Sequence, residues 1–185
     1  MPYMRVDVDS YDEMMSEIDP EDLPPEALRR PSGDYEYEAA EAQFKRQKLD
    51  EVARVTVDAL VQLGASEFRV RYDGGYDEGF SHSEFFVIKN QQRPALAVAD
   101  ELAGTSSIAA IRAAITQSAY RPSGEMSDSQ MARFAIDQLA HELATLLLGR
   151  GYGTGEYSLY GAFTANLRTG QLVDDKQAAK PDSLK

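Results

Sequence analysis

The sequence predicts an α+β domain with the element order α-β-β-α-α-α-β-β, in which two β-hairpins form one antiparallel sheet of about four strands covered on one face by helices. Two segments alternate apolar and polar residues with a period of two, and each is followed by a second strand-like segment. The segments between them repeat apolar residues every three or four positions, as helices do. At 185 residues, the chain is long enough for one domain with a sizeable core.

The first helix is predicted over about residues 35–63. Gly64 follows it, and glycine commonly ends a helix in the left-handed conformation. The apolar stripe of this helix consists of Leu49, Ala53, Thr56, Leu60 and Leu63.

The first hairpin begins with the sequence EFRVRY. Phe68, Val70 and Tyr72 alternate with Arg69 and Arg71, as expected for a half-buried strand with an apolar face and a charged face. The sequence SHSEFFVIK predicts the return strand. We interpret the intervening YDGGYDEGF as the bend between the two strands, because glycine and aspartate are favoured in turns.

Residues 95–118 are rich in alanine and are interrupted by the sequence GTS, which predicts two short helices. The clearest helix follows: Ser127 can cap it and Gln130, three residues on, can complete a capping box. Gly149 or Gly151 is expected to end it. Its apolar stripe consists of Met131, Ala135, Leu139, Leu143 and Leu147.

The second hairpin is predicted within YSLYGAFTANLRTGQLVDD. The turn is expected at RTG, followed by a short return strand through Leu172 and Val173. The apolar face of its first strand consists of Tyr157, Leu159, Gly161, Phe163, Ala165 and Leu167.

The chain divides into three parts by composition. Residues 1–34 form an acidic, proline-rich N-terminal arm with four prolines between positions 19 and 33, which oppose a long helix or a central strand. We expect this arm to be extended and partly disordered, or to be a docking segment that orders on a partner. Residues 35–175 form the single domain, and residues 176–185 form a polar tail.

The location of the protein is predicted from three further features of the sequence. The N-terminus has no charged-then-apolar signal pattern, and the apolar runs are too short to cross a membrane. The chain has no cysteine, so it has neither disulfides nor thiolate metal ligands. We therefore expect a cytoplasmic protein that does not enter a membrane.

Most of the net charge of −12 lies near the N-terminus. Residues 1–44 contain thirteen acidic residues and three arginines, a net charge of −10, so the rest of the chain is close to −2. This charge opposes direct binding to nucleic-acid phosphates, which depends on lysine and arginine. It favours a protein partner with a basic surface, including a protein that itself binds nucleic acid.

The carboxylates of the arm are the candidate partner-binding residues. Tyr3, Tyr11, Met14, Met15 and Ile18 are available as apolar anchors beside them. The candidate carboxylates are Asp7, Asp9, Asp12, Glu13, Glu17, Asp19, Glu21 and Asp22.

Two glycine-rich stretches are the other candidate sites. In the first, Asp73, Asp77 and Glu78 have carboxylate oxygens suited to a hard cation such as Ca²⁺ or Mg²⁺, although the spacing is not that of an EF-hand. The alternatives are a structural turn, which the sequence favours, and a partner-recognition loop; no other cofactor is indicated. The candidate loop residues are Gly74, Gly75, Tyr76, Gly153, Gly155 and Glu156.

Three motif-like stretches favour ordinary structure over chemistry. GRGYGTGEY follows a helix and precedes a strand, the reverse of a phosphate loop, so a connecting loop is expected. HELAT has Thr145 where a zinc protease motif needs a second histidine after His141. In SHS, the neighbours of His82 should point away from it on a strand. No catalytic residue is assigned.

Two blocks resemble a bacterial domain family of unknown function that occurs around plasmids and mobile elements. RVRYDGGYDEGFSHSE is similar to that family's YDGxGDSG turn and polar strand, and LAHELATLLLGRGYGTGEYSLYGAFTANLRTGQLVDD is similar to its helix, glycine-rich link and GxYGEFxFD hairpin. The resemblance covers roughly residues 45–90 and 130–175. The chain departs from the pattern at two places. Residues 76–79 read YDEG where the family has GDSG, and Ala162 stands where the family has an acidic residue. The resemblance implies the fold and no established reaction.

The sequence leaves two hypotheses for function. The first is a non-enzymatic adaptor or inhibitor protein of a bacterial or mobile-element system, in which the acidic arm and the surface loops engage a basic partner. One form of it is an inhibitor that mimics nucleic acid. The alternative is a divalent-cation-binding protein or an enzyme with a carboxylate site at residues 73–78.

Overall fold

The computed structural model describes residues 41–75, 78–119, 122–149, 152 and 159–175. Six strands and four α-helices lie in these ranges, with a short 3-10 helix at Arg46–Lys48. In chain order they are β1 (Glu41–Gln43), α1 (Glu51–Leu63), β2 (Ala65–Gly75), β3 (Glu78–Ile88), β4 (Gln91–Pro94), α2 (Ala95–Ala103), α3 (Ile108–Gln117), α4 (Asp128–Leu148), β5 (Leu159–Asn166) and β6 (Gln171–Asp175).

The strands form one antiparallel sheet in the order β1-β6-β5-β2-β3-β4. The two predicted hairpins, β2–β3 and β5–β6, lie side by side through the β2–β5 pairing. The predicted α+β class and the single antiparallel sheet are therefore confirmed, although the sheet has six strands.

The helices form one layer against one face of this sheet, which we call the inner face and which carries Phe68, Val70 and Tyr72. Phe68 and Phe86 stack on this face with ring centroids 4.3 Å apart. The apolar stripe of α4 is buried at the centre of the core, as its width predicts. The opposite face, which we call the outer face, carries Arg69, Arg71 and Asp73.

The helix ends agree with their sequence signals. Gly64 ends α1 at φ +98°, a conformation that glycine adopts without strain. Ser127 and Gln130 form the predicted capping box of α4, because each side chain bonds the backbone N–H of the other residue. Gly149 ends α4, and α2 and α3 are the two predicted short helices.

The predicted start of the first helix at about residue 35 is wrong. The helix begins only at Glu51, where the side chain of Asp50 accepts a hydrogen bond from the backbone N–H of Ala53. Glu41–Gln43 instead forms the edge strand β1, which pairs with β6. The apolar stripe itself began at Leu49, so the pattern supported only the later start.

The sheet has two strands more than predicted. Both are edge strands, and the sequence did not reveal them because they are short and polar. β4 is the sequence QQRP, which has no apolar alternation to reveal it, and β1 is EAQ. Pro94 is tolerated in β4 because the strand is at an edge and ends there.

The bend between β2 and β3 is shorter than the interpretation of YDGGYDEGF implied. β2 continues through Gly74 and Gly75, and β3 begins at Glu78, so most of this stretch belongs to the strand ladder. Of the candidate loop residues, Tyr76 lies outside the described residues, as does Asp77.

A buried polar pair crosses the inner face. The Tyr72 hydroxyl donates a 2.7 Å hydrogen bond to Oδ2 of Asp174, which is 2% exposed. A Cβ on Gly161 would lie 2.4 Å from that hydroxyl, so only glycine leaves room for the tyrosine ring to pass over β5. Burial raises the pKa of Tyr72.

No helix within the described ranges is both long and apolar enough to cross a lipid bilayer.

Candidate functional site

The two glycine-rich stretches meet at one end of the sheet. A Cβ on Gly79, in β3, would lie 2.7 Å from Cε2 of Tyr152, so the tyrosine ring packs directly on the glycine. Tyr152 is 4% exposed, and its ring centroid lies 6.4 Å from that of His141 on α4. The end of the β2–β3 hairpin, Tyr152 and α4 therefore form one cluster of polar and aromatic side chains.

The hydroxyl of Tyr152 is shielded from solvent and has no hydrogen-bond partner among the described residues. Burial raises the pKa of Tyr152 to about 12, and the nearby charge of Asp73 acts in the same direction. The nearby Ser81 hydroxyl opposes this rise in the pKa of Tyr152. The distance or angle between the two hydroxyls does not satisfy the criteria for a hydrogen bond.

Asp73, one of the three candidate metal ligands, contacts a histidine. Its Oδ1 lies 2.6 Å from Nε2 of His82, and both side chains are partly exposed on the outer face. The β2–β3 register also places Glu78 on that face, two residues from the partner of Asp73 in β3, Phe80.

Within the described ranges, no three His, Asp or Glu side chains are grouped as metal ligands. Because Asp77 lies outside those ranges, the proposed set of Asp73, Asp77 and Glu78 stays a prediction. His141 and Glu142, both in the HELAT sequence, are not grouped with a third ligand in the part of the chain that the structure describes.

The side chains of the SHS sequence point to opposite faces, as expected on a strand. His82 contacts Asp73 on the outer face, whereas the Ser83 hydroxyl donates a 3.0 Å hydrogen bond to Oδ1 of Asp137 on α4. Burial raises the pKa of Asp137, while the Ser83 hydrogen bond and the charge of His82 oppose the shift. This geometry separates His82 from Ser83 and does not form a nucleophile–base pair.

Glu142 connects two helices. Its Oε1 accepts a 2.8 Å hydrogen bond from the backbone N–H of Asp50, the N-cap of α1. Burial raises the pKa of Glu142 to about 7, and the charge of Asp50 contributes in the same direction. Thr145, in the same motif, donates a hydrogen bond to the backbone carbonyl of His141. The HELAT sequence therefore has a structural role.

The two arginines of β2 differ in their contacts on the outer face. Nε of Arg69 lies 3.9 Å from Oε2 of Glu84 on the neighbouring strand, and its guanidinium also donates a hydrogen bond to the hydroxyl of Thr164. Arg71 lies opposite Ala162, which is 1% exposed. The Nε of Arg71 is shielded from solvent and has no hydrogen-bond partner among the described residues.

The remaining candidates lie outside the described residues. They are the eight carboxylates of the arm (Asp7, Asp9, Asp12, Glu13, Glu17, Asp19, Glu21 and Asp22) and the loop residues Gly153, Gly155 and Glu156. These assignments stay predictions.

Sequence reasoning missed Tyr152, Asp137 and Arg71 as members of the candidate site. Tyr152 and Asp137 join it through contacts between residues distant in the chain, which no local pattern reveals. The alternation of EFRVRY placed Arg71 on the outer face. Which residue lies opposite Arg71 depends on the register between β2 and β5, and no local sequence pattern reveals that this residue is Ala162.

Comparison of the chain with protein-family models, curated proteins and solved structures found no match. The resemblance to the bacterial domain family therefore stays a prediction.

Proposed function

We propose that this chain is a non-enzymatic binding protein, an adaptor or inhibitor, whose acidic N-terminal arm engages a protein partner with a basic surface. The observation that carries the proposal is the charge distribution: the first 44 residues hold a net charge of −10 out of −12. A concentrated charge of one sign speeds association with the opposite charge and selects against partners of like charge.

The ion pairs of the folded domain support this assignment. Of the eight arginines in the described residues, six lie within 4 Å of a carboxylate. The domain thus neutralises most of its own arginine charge, while the arm carries a large excess of carboxylates. The six are Arg46, Arg54, Arg69, Arg93, Arg112 and Arg133.

The proposal is tested by an affinity pull-down from the native host with the full-length chain as bait. A second bait carries Asp7→Asn, Asp9→Asn and Asp12→Asn, which remove three charges from the arm. We expect a basic protein to be recovered with the wild-type bait and to be reduced at least fivefold with this variant.

The matched control removes three exposed charges from the domain, with Glu41→Gln, Glu67→Gln and Glu125→Gln. Both variants have the same net charge, so a general effect of charge would reduce recovery equally. Equal recovery from the two variants would contradict a specific role for the arm.

The alternative function is divalent-cation binding at residues 73–78, and the shared face of Asp73 and Glu78 is the observation that favours it. A cation that binds the folded state raises the melting temperature by linkage. The alternative predicts such a rise with millimolar Ca²⁺, Mg²⁺ or Mn²⁺, and its loss in Asp77→Asn. An unchanged melting temperature with all three ions would contradict it.

A further inference from the structure

One edge of the sheet is open along the first part of β3. β4 pairs only with residues 85–88 of this strand and ends at Pro94. Among the described strands, none pairs with the same edge along residues 78–83, although β2 pairs with all six of these residues on the other side. The backbone N–H and C=O groups of residues 78–83 that point away from β2 therefore have no neighbouring strand.

Residues 78–83, which we call the open edge, have the properties of a strand-binding site. Six residues is an ordinary length for a strand, and the register with β2 is regular over them, because the bulge lies just beyond them at Glu84. The open edge contains neither proline nor lysine, the residues that commonly prevent strand addition. An extended segment of another chain can therefore add here as a further strand.

Three basic side chains lie near the open edge, and two of them have acidic partners. Nε2 of His82 lies 2.6 Å from Oδ1 of Asp73, and Nε of Arg69 lies 3.9 Å from Oε2 of Glu84. The third, Arg71, is on β2, one strand further from the edge. The open edge itself therefore presents little unmatched positive charge.

Two exposed carboxylates at the open edge are outside the ion pairs of the described residues. Glu78 is at one end of the edge, and Asp137 on α4 accepts a 3.0 Å hydrogen bond from the hydroxyl of Ser83 at the other end. Neither carboxylate lies within 4 Å of a basic group in the described ranges. The register places Glu78 on the outer face, whereas Ser83 and Asp137 meet on the inner face.

An aromatic residue lies on each face of the open edge. Phe80 is 49% exposed on the outer face. On the inner face, Tyr152 is 4% exposed, and its hydroxyl, close to that of Ser81, has no hydrogen-bond partner among the described residues. An added strand should therefore place an apolar side chain beside Phe80 and a hydrogen-bond donor beside Ser81.

We propose that the open edge binds an extended, basic segment of a partner protein by strand addition. In antiparallel pairing, one basic residue of this segment lies opposite Ser83, beside Asp137, and a second lies opposite Glu78. These two residues are five positions apart, so their side chains point to opposite faces, as the two carboxylates do. A second copy of this chain is disfavoured as the occupant, because each copy has a net charge of −12.

This binding site is separate from the acidic arm and goes beyond the proposed function. Only the idea that the basic segment belongs to the partner of the arm rests on that function. The strand addition itself depends on the open edge and its two carboxylates.

The proposal is tested by titrating a synthetic peptide into the ¹⁵N-labelled full-length chain and following the amide signals by NMR. The peptide is acetyl-Thr-Lys-Thr-Thr-Val-Thr-Lys-Thr-amide, in which the lysines are five positions apart and the valine falls opposite Phe80. We expect saturable shifts at residues 78–83, with a Kd of about 1 mM or below. A peptide with glutamate in place of both lysines should bind about tenfold more weakly, because its charges repel those of the edge.

Two further peptides test the strand geometry. One carries N-methyl groups on alternate residues, and the other carries them on the remaining residues, so each lacks every second N–H. In a strand, alternate N–H groups face the neighbouring strand. Strand addition therefore predicts that one of these peptides binds about tenfold more weakly than the parent and that the other binds within about twofold of it. Equal losses from both would contradict strand addition.

Variants of the chain test the two carboxylates. Glu78→Gln and Asp137→Asn should each weaken binding of the lysine peptide by about threefold, because exposed ion pairs contribute little, and together by about tenfold. Glu67→Gln is the matched control. It removes an exposed carboxylate from β2, outside the open edge, and should leave the Kd unchanged.

Four results would overturn the proposal. The first is no saturable binding of the lysine peptide, and the second is amide shifts confined to residues 1–40, which would identify the arm as the binding element for the peptide. The third is equal affinity in the edge variants and in Glu67→Gln. The fourth is a shift of the amides of residues 78–83 with protein concentration alone, which would identify a second copy as the occupant.

The same titration separates this proposal from the proposed function. The variant that lacks three arm charges should bind the lysine peptide as the wild-type chain does. A failure at the open edge would leave the pull-down with the arm variant unaffected, and a failure of that pull-down would leave peptide binding at the open edge unaffected.

Discussion

On the inner face of the sheet, Tyr72 reaches across β5 and donates a hydrogen bond to Asp174. One residue earlier on the same strand, Arg71 points to the outer face and has a shielded Nε without a partner among the described residues. On the inner face, Gly161 therefore makes room for the long side chain of Tyr72, and Asp174 lies beyond it as the hydrogen-bond acceptor. On the outer face, a long polar side chain lies opposite Ala162 rather than a glycine, and the row continues to Asp175 on β6.

We therefore expect residues on the inner face to stabilise the fold, and residues on the outer face to be available for binding. Contacts on the inner face are buried, so substitutions there should change the free energy of unfolding strongly. Contacts on the outer face are partly exposed, so substitutions there should change binding more than stability.

The largest difference between the faces is expected for their phenylalanines. Phe68→Ala should lower the free energy of unfolding by about 4 kcal/mol, because the ring is fully buried and stacks on Phe86. Phe80→Ala on the outer face should lower it by less than about 1 kcal/mol. Urea denaturation measures both, and equal losses would contradict the comparison.

Gly161→Ala should lower the free energy of unfolding by about 3 kcal/mol, because its Cβ would overlap the Tyr72 ring and displace the hydroxyl from Asp174. Gly104→Ala is the control: Gly104 ends α2 at a negative φ without such a clash, so its effect should be within about 0.5 kcal/mol. In a Tyr72→Phe background the cost of Gly161→Ala should shrink, and full additivity would contradict the proposed overlap.

Tyr72→Phe alone should lower the free energy of unfolding by about 2 kcal/mol, because Asp174 then has one donor fewer in a buried site. Urea denaturation at neutral pH measures the loss. A loss below about 0.5 kcal/mol would show that this hydrogen bond contributes little.

The stability of the protein should depend on pH through Glu142. Its pKa in the folded state is raised to about 7 from an ordinary value near 4.5. The folded state thus holds the proton more tightly, so this contribution to stability is fully present below about pH 4.5 and is lost as pH rises through 7. Glu142→Gln should remove that part of the pH dependence of the urea midpoint, and an unchanged profile in the variant would contradict the assignment.

The smallest effect is expected at the exposed pair of Asp73 and His82. Exposed ion pairs contribute little, so His82→Gln should change the free energy of unfolding by less than about 1 kcal/mol. A larger loss in urea denaturation would place His82 among the residues that stabilise the fold rather than on a binding face.

The strongly patterned elements were predictable from the sequence. The alternation of EFRVRY defined the two faces of β2, and the stripe from Met131 to Leu147 defined α4 with its cap at Ser127. In both cases the local pattern and the tertiary packing favour the same structure.

The elements that sequence reasoning missed lack a local signal. β1 and β4 are short, polar and at the edges, so their partners rather than their own residues define them as strands. The contact between Gly79 and Tyr152 and the pairing of Arg71 with Ala162 depend on strand register and on how distant segments pack. An alternation pattern shows which face a residue occupies, but it does not show what lies opposite.

The most direct test of the account is a calorimetric titration of the recovered partner into the full-length chain, at about 50 mM and about 300 mM salt. Because the arm carries most of the net charge, the account predicts that the affinity falls at least tenfold at the higher salt and that the variant lacking three arm charges starts from a weaker affinity. An affinity that is independent of salt, and equal for the wild-type chain and this variant, would contradict the claim that the acidic arm is the binding element.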